Sequence, residues 1–113
     1  MSRSTGPRAG QTERGGVQRG EIWLIEGARE RLGVIISSDV YNGTDVPVVL
    51  VAEVVEKERL RDSPLAIECG EEYTIMPDRL SSPMKRWFKE RVDVADTDTM
   101  RRVSRALRIL QDL

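Results

Sequence analysis

The sequence contains no histidine, a single cysteine and only five aromatic residues (two Trp, two Tyr and one Phe) in 113 positions. Without histidine, Ser-His-Asp triads, Cys-His nucleophiles and histidine-ligated metal centres are all excluded. Cys69 cannot form an internal disulfide and, with no histidine in the chain, cannot belong to an ordinary zinc site. Any acid–base chemistry must therefore come from Asp, Glu, Arg, Lys, Tyr, Ser or Thr.

Long apolar segments are also lacking. No run approaches the roughly 20 apolar residues of a membrane span, and the N-terminus has no apolar core of a signal peptide. We therefore expect a cytoplasmic protein without membrane contact. A length of 113 residues suits one domain with a modest core. A net charge of −1 gives no global basic field, so nucleic acid could bind only at a local basic patch.

The first 16 residues are rich in Gly, Ser, Arg and Thr and almost free of apolar side chains. Such a segment cannot bury enough surface to offset the entropy of ordering. We predict a disordered basic tail over residues 1–16 and a single domain over residues 17–113. The tail is either merely solvated or a non-specific arm that contacts RNA.

The remaining chain predicts mainly short strands. Apolar runs bounded by Gly, Pro, Asn and Ser favour strands over residues 17–25, 31–39, 47–55, 65–69 and 73–78, with residues 79–82 continuing or ending the last one. Residues 84–92 follow Ser82-Pro83 and fit either a short capped helix or a strand. Met100, Val103, Leu107 and Leu110 recur at helical spacing, so a helix is expected over residues 97–113. These elements predict an α+β domain or small antiparallel barrel.

The most informative stretch joins two motifs. Arg19-Gly20-Glu21-Ile22-Trp23 opens the first predicted strand, and Arg31 stands where a polar loop enters the apolar block Val34-Ile35-Ile36. This block does not alternate with polar residues, which predicts a strand buried on both faces. Ser37 and Tyr41-Asn42 follow that block. An arginine in the position of Arg31 is anchored at its stem, and its head can present a rigid fork of donors to a phosphate.

These motifs, in this order and spacing, resemble the MazF/PemK family of toxin endoribonucleases. The resemblance covers about residues 18–113, although Leu32 replaces the proline usual in the family. It implies a small SH3-like antiparallel β-barrel or curved sheet of five to seven strands with a C-terminal α-helix, and it favours a strand for residues 84–92. It further implies a toxin that cuts single-stranded RNA at specific sequences, without metal or cofactor, through attack by the 2′-hydroxyl. A homodimer and a cognate antitoxin with an acidic, extended tail are the implied partners.

The resemblance assigns catalysis first to Arg31, whose charge would stabilise the phosphorane. The alternative is a structural arginine paired with Glu21, Glu26 or Glu30. A second family position, a Thr or Ser at the end of the third strand, has no hydroxyl here. Glu53 is our candidate general base in its place, with Glu56 as the alternative.

Further residues are expected to bind RNA. Asp78 and Ser82 match a family motif, with Arg79 in place of the usual Gln, and an Asp can accept hydrogen bonds from unpaired bases. The alternative for Asp78 is a turn residue paired with Arg79. Lys85 and Arg86 are candidate phosphate contacts. They belong to a basic stretch, residues 85–91, that also contains Trp87 and Phe88, which are either stacking platforms or core and dimer residues. Trp23 is expected in the core.

Other functions remain open at this point. A catalytically degenerate member of the family would bind RNA or protein without cutting, consistent with the missing hydroxyl. A gyrase-directed poison of the CcdB type shares the fold but ends in a Trp-Gly-Ile-like tail, whereas this chain ends Leu110-Gln111-Asp112-Leu113. A small β-barrel adaptor unrelated to toxins is the third alternative. Arg101, Arg105 and Arg108 share one helix face, either solvated or facing an acidic partner.

Overall fold

The computed structural model describes residues 16–57 and 64–111, so the predicted tail up to residue 15 and the end of the chain lie outside the described residues. Six antiparallel strands form one curled sheet in the order β4-β5-β3-β2-β1-β6. A one-turn helix follows β2, and a long helix closes the chain. The elements are β1 (Glu21–Ile25), β2 (Arg31–Ile35), α1 (Asp39–Asn42), β3 (Val51–Glu56), β4 (Ile67–Cys69), β5 (Tyr73–Ser81), β6 (Phe88–Val94) and α2 (Thr97–Gln111). The predicted α+β class with a curved sheet and a C-terminal helix is confirmed.

The sheet separates two apolar clusters because successive side chains of a strand point to opposite faces. In β2, Val34 packs toward α2 together with Met100, Val103 and Ala106. Its neighbour Ile35 packs on the other face, against Trp23 and other residues. Both Val34 and Ile35 are fully buried, as the uninterrupted apolar run predicted. Full burial of one such side chain contributes about 1.5–3 kcal/mol.

The opening motif ties three elements together. Gly20 has a φ of +91°, which favours glycine over residues with a side chain. Its N–H donates to the Ile35 carbonyl (2.8 Å) and its carbonyl accepts from Ala95 N–H (2.8 Å). This turn is why β1 begins at Glu21 and not at the predicted residue 17. The Arg19 guanidinium donates to the Ile36 carbonyl and to Ser104 Oγ, 2.7 Å away on α2.

The second predicted strand is too long by four residues. β2 ends at Ile35, and Ser38 caps the one-turn helix α1 by accepting the Tyr41 N–H. Buried Ser37 donates its hydroxyl proton to Asn42 Oδ1 (2.5 Å), and Asn42 Nδ2 donates to the Ser37 carbonyl (3.0 Å). These bonds satisfy two buried polar side chains. Ser37 and Asn42 therefore shape the turn after β2.

The third strand also starts later than predicted, at Val51 instead of residue 47. Residues 47–50 cross to the segment before β6. Val48 forms an isolated bridge with Met84, and Lys85 N–H donates to the Pro47 carbonyl (2.7 Å). Val49 is nevertheless fully buried, so its apolar character was interpreted correctly as core although the conformation was not.

Both alternatives for residues 84–92 are partly right. A 3-10 turn over Lys85–Trp87 leads directly into β6, and Ser82-Pro83 precedes that turn without capping it. β5 runs on to Ser81, which settles how residues 79–82 continue. The fourth strand is shorter than predicted, starting at Ile67.

The C-terminal helix begins at Thr97, as the helical spacing of its apolar residues predicted. Asp96 Oδ1 accepts the Thr99 N–H (2.8 Å), a helix N-cap bond. This hydrogen bond holds the pKa of Asp96 below its ordinary value. Met100, Val103 and Ala106 are the buried residues of α2. No helix among the described residues is long and apolar enough to cross a membrane.

Candidate active site

A cleft of about 250 Å³ opens on the sheet face opposite α2. It lies where the β1–β2 loop meets β3 and β5. The residues that line it are Arg29, Arg31, Leu32, Val51, Glu53, Arg79, Leu80 and Ser81. Three residues that the sequence singled out, Arg31, Glu53 and Arg79, are therefore brought together. We call this hollow the Arg31 cleft.

Strand pairing explains why these residues meet. Gly33 of β2 is directly opposite Glu53 of β3, and Arg31 lies two residues before Gly33, on the same face. Val51 is opposite Ser81 of β5, and the register shifts between Ala52 and Glu53. This β-bulge leaves extra residues on β5, Arg79 among them, beside Glu53. One sheet face thus presents cations, a carboxylate and a hydroxyl to the same space.

Arg31 is free to act on a ligand. None of the ion pairs within residues 16–57 and 64–111 involves Arg31, and the three carboxylates considered as its structural partners are engaged elsewhere. Glu21 pairs with Arg91 at 3.1 Å. Glu26 and Glu30 both pair with Lys89. The half-buried guanidinium keeps its donors available for an anion.

The loop that presents Arg31 is fixed to β6 and the turn before it. Lys89 Nζ lies 2.9 Å from Glu26 Oε2 and 3.2 Å from Glu30 Oε2, so it bridges the two ends of the loop. These hydrogen bonds, the one with Glu26 first, raise the pKa of Lys89. A Cβ added to Gly27 would lie 3.3 Å from the Trp87 ring and 3.7 Å from Arg31 Nη1. The loop backbone therefore packs closely against both side chains.

Glu53 is the carboxylate of the cleft. Its Oε1 lies 3.5 Å from Arg79 Nη1, and both side chains are partly exposed. A long, solvent-accessible contact of this kind contributes little stability, about 0–1 kcal/mol. It nevertheless orients the carboxylate. The alternative general base, Glu56, ends β3 at an exposed position and does not line the Arg31 cleft.

Ser81 and Arg29 line the cleft although neither was predicted from the sequence as a site residue. Ser81 is half-buried, and its hydroxyl has no hydrogen-bond partner among the described residues, as none of the hydrogen bonds found there includes it. Alternation along β5 could have identified it, because Ser81 is two residues from Arg79 whereas Ser82 is three. Arg29 is exposed on the loop, a position that no sequence pattern distinguishes.

The other candidate RNA-binding residues lie outside the cleft. Asp78 and Ser82 are exposed and do not line it, and the ion pair of Arg79 is with Glu53 and not with Asp78. Lys85 Nζ donates to the Asn42 and Thr44 carbonyls, at 2.9 and 2.8 Å, and so braces the end of α1. Arg86 is exposed on the 3-10 turn. A role for these four residues along a longer RNA path stays a prediction.

The aromatic side chains mostly build the core under the site. Trp23 is 6% exposed, as predicted. Phe88 is equally buried, and its ring meets that of Trp23 edge to face with centroids 5.8 Å apart. Trp87 is half-buried beside them. Within the described ranges, no group of three or more Cys, Asp or Glu residues is arranged to hold a metal ion.

Several solved structures are similar to this chain in fold. An endoribonuclease in complex with its cognate antitoxin, from a mycobacterial species, superposes with a TM-score of 0.75 at 17% identity, covering 86% of this chain and 96% of that one. MazE–MazF from Deinococcus radiodurans gives 0.71 at 18% identity, over 86% and 96%. The Mycobacterium tuberculosis toxin MazF-mt6 gives 0.68 at 12% identity, over 82% and 97%. At these identities the likeness shows the fold alone.

Family membership follows from the sequence match. No curated protein matches the chain. The family model described as PemK-like, MazF-like toxin of type II toxin–antitoxin system matches residues 18–111, which contain the whole sheet, the Arg31 cleft and α2. The chain therefore belongs to the PemK-like, MazF-like toxins of type II toxin–antitoxin systems.

Proposed function

We propose that this toxin is an endoribonuclease that cuts single-stranded RNA at specific sequences without a metal ion. The observation that carries the proposal is Arg31, a cation without an ion-pair partner among the described residues, in one cleft with a carboxylate and an unengaged hydroxyl. Family membership and the solved endoribonucleases of the same fold support the reaction class.

In the proposed reaction the ribose 2′-hydroxyl attacks the adjacent phosphorus. Glu53 takes the hydroxyl proton as the new O–P bond forms, and the bond from phosphorus to the 5′-oxygen breaks. Solvent water supplies the proton for the departing 5′-oxygen, since the cleft is open. The products are a 2′,3′-cyclic phosphate and a free 5′-hydroxyl. No external nucleophile or redox partner is required.

Arg31 supplies the electrostatic part of this proposal. Negative charge accumulates on the non-bridging oxygens in the transition state, and a guanidinium fork offers them two parallel hydrogen bonds. Because the side chain is half-buried, its attraction for an anion is screened less than that of an exposed arginine. The Lys89 bridge across the loop and the close packing at Gly27 limit how far Arg31 can move, which preorganises the site.

The test compares purified wild type with Arg31→Ala and Arg31→Lys on a long unstructured RNA in excess EDTA. Wild type should cut at a recurring short motif and leave 5′-hydroxyl ends. Arg31→Ala should lower the cleavage rate by about 10²–10³-fold. Arg31→Lys keeps the charge but loses the fork, so it should retain an intermediate rate.

Two results would contradict the proposal. If EDTA stops cleavage by wild type, the reaction requires a metal ion. RNA that remains intact with wild type would favour a toxin that binds RNA or protein without cutting it. Urea titration is the folding control. If Arg31→Ala unfolds at the same urea concentration as wild type, its lost cleavage is not caused by unfolding.

We further infer that an antitoxin inhibits the toxin by covering the Arg31 cleft with an acidic, extended segment. Support comes from the two cleft arginines that lack ion pairs among the described residues, Arg29 and Arg31. Carboxylates of such a segment would occupy the positions of RNA phosphates. We expect a synthetic acidic peptide to inhibit cleavage competitively, and we expect this inhibition to weaken as the salt concentration rises.

We also infer a homodimer. Leu50, the residue before β3, and Leu80 of β5 are 42% and 50% exposed, and large exposed apolar side chains of this kind often mark a protein–protein contact. Light scattering should give the mass of two chains at micromolar concentration. A mass of one chain would contradict the inference, and Leu80→Lys should shift a dimer toward monomer.

A further inference from the structure

A second hollow, of about 520 Å³, adjoins the Arg31 cleft at the end of the sheet where β2 begins and β3 ends. The two hollows share Arg29, Arg31, Leu32 and Glu53. We call the second hollow the end pocket. Resting on the proposed function, we propose that the end pocket binds the unpaired base next to the cleaved phosphate and selects a base that carries an exocyclic amino group.

The size and lining of the end pocket suit a flat aromatic ligand. Its volume falls within the roughly 300–1,000 Å³ typical of small-molecule sites. Leu24, Leu32 and Val54 supply an apolar floor, and the half-buried ring of Tyr73 lies at its side. Unpaired bases stack readily on aromatic side chains, with about 1–3 kcal/mol per base in known complexes.

The free acceptor in this pocket is Glu56. The other two carboxylates of the lining are engaged, since Glu30 pairs with Lys89 and Glu53 pairs with Arg79. Glu56 is exposed, and none of the ion pairs or side-chain hydrogen bonds found within residues 16–57 and 64–111 includes its carboxylate. Its two oxygens can only accept hydrogen bonds.

This acceptor distinguishes among bases by the chemistry of their edges. Adenine, cytosine and guanine each carry an exocyclic amine that can donate to Glu56, as cytosine N4 does to acidic side chains in other complexes. Uracil places a carbonyl oxygen where cytosine has its amine, and two acceptors repel each other. The pocket should therefore disfavour uracil at one position of the cleaved sequence.

The position follows from Arg31, which lines both hollows. A phosphate held by its guanidinium would lie at the boundary of the two hollows, so the neighbouring base would be next to the end pocket. Glu56 would thus select the base, and Arg31, which lines the same pocket, would bind the phosphate.

The decisive variant is Glu56→Gln, because glutamine both donates and accepts and so tolerates a carbonyl. Cleavage products of a randomised RNA are sequenced for wild type, Glu56→Gln and the matched control Glu72→Gln. Glu72 is an exposed residue in the turn before β5 and lines neither hollow. We expect wild type to exclude uracil at one position by about tenfold or more, Glu56→Gln to lose that exclusion, and Glu72→Gln to match wild type.

Binding measurements separate failure of this inference from failure of the proposed cleavage. Fluorescence anisotropy on 2′-O-methyl oligomers of A, C or U, which cannot be cut, should show wild type binding A and C about tenfold more tightly than U. Glu56→Gln should remove this difference, whether or not the toxin cleaves RNA. Equal binding of A, C and U by wild type would overturn the inference. An unchanged cleavage motif in Glu56→Gln would also overturn it. If wild type cuts RNA and Glu56→Gln cuts no sequence at all, Glu56 belongs to the catalytic step and the inference is wrong.

Discussion

The indole N–H of Trp23 donates to Oε1 of Glu21 at 2.9 Å, inside the sheet face that also carries the Arg31 cleft. The same carboxylate oxygen accepts the Gln18 N–H at 2.9 Å, and Oε2 accepts from Arg91. Glu21 is only 6% exposed. A buried carboxylate is tolerated here because its oxygens are hydrogen-bonded and paired with a cation. The opening motif, Arg19-Gly20-Glu21-Ile22-Trp23, thus has a structural role in this chain.

We predict that Glu21→Ala lowers the free energy of unfolding by about 2–3 kcal/mol, because the buried Trp23 N–H and the partly buried Gln18 N–H lose their acceptor. Urea titration followed by Trp fluorescence measures the change. Glu26→Gln, which alters only a solvent-exposed ion pair, should stay within about 0.5 kcal/mol of wild type. Equal effects of the two substitutions would show that the Glu21 network is not stabilising.

We predict that Ser81 takes part in the proposed cleavage and that Ser82 does not. Ser81→Ala removes the unengaged hydroxyl of the Arg31 cleft, which can donate to a phosphate oxygen, and should slow single-turnover cleavage by about tenfold or more. Ser82→Ala, one residue further and exposed outside the cleft, should cleave at the wild-type rate. Ser81→Thr, which restores the hydroxyl, should recover much of the lost rate.

If Ser81→Ala and Ser82→Ala are equally active, Ser81 only lines the cleft. Binding of a 2′-O-methyl RNA adds a second criterion. A hydroxyl that acts mainly in the transition state should alter the cleavage rate much more than the affinity for this uncleavable RNA.

We predict an acid-dependent loss of stability that originates at Asp96. The hydrogen bond from the Thr99 N–H depresses its pKa in the folded protein. Its contribution is therefore present above the ordinary carboxyl pKa and is lost as the pH falls through the folded value. Asp96→Asn keeps a capping side chain but does not titrate, so the stability advantage of wild type over this variant should shrink below about pH 4.

Urea titrations at several pH values between 3 and 6 would measure this difference. Asp45→Asn, which removes a comparable negative charge from an exposed loop, is the matched control. A gap between wild type and Asp96→Asn that stays constant over this range would contradict the prediction.

We predict that Cys69 is unreactive in the folded protein. It is buried in β4 at 5% exposure. Burial first, and then the negative charges of Asp93 and Asp96, raise the pKa of its thiol. The thiolate, which is the reactive species, is therefore scarce near neutral pH. Modification by iodoacetamide at pH 8 should follow the unfolding curve in urea, whereas fast modification in buffer would place Cys69 at an accessible site.

Sequence patterns within single strands and helices predicted the fold well. Contacts between elements that are distant in the sequence were not predicted. The run Val34-Ile35-Ile36 identified a strand buried on both faces. The capping serine of α1 went unrecognised because the helix is a single turn and gives no periodic signal. The hydrogen bonds of the Lys85 ammonium to carbonyls more than 40 residues earlier in the chain were not predicted. No local pattern contains such a partner.

The residues of the Arg31 cleft were likewise predicted only in part. Arg31 stood out because a loop enters a buried strand there, and the cleft contains it. Glu53 was one of two glutamates near the end of β3, and only the pairing of Gly33 with Glu53 distinguishes it from Glu56. Ser81 was not predicted to line the cleft, because a β-bulge shifts the register between Ala52 and Glu53 and sequence alone does not locate such shifts. The role of Ser82 in RNA binding stays a prediction.

The division of β2 between two apolar clusters has a consequence for evolution. Inserting or deleting one residue between Arg31 and Val34 would reverse the facing of one side chain relative to the other, so either Arg31 would turn toward α2 or Val34 would turn toward the cleft. Changes in length are tolerable only in the loops, and the loops at this end of the sheet border the two hollows. Natural variation in loop length would therefore reshape the two hollows while leaving the arrangement around Arg31 intact.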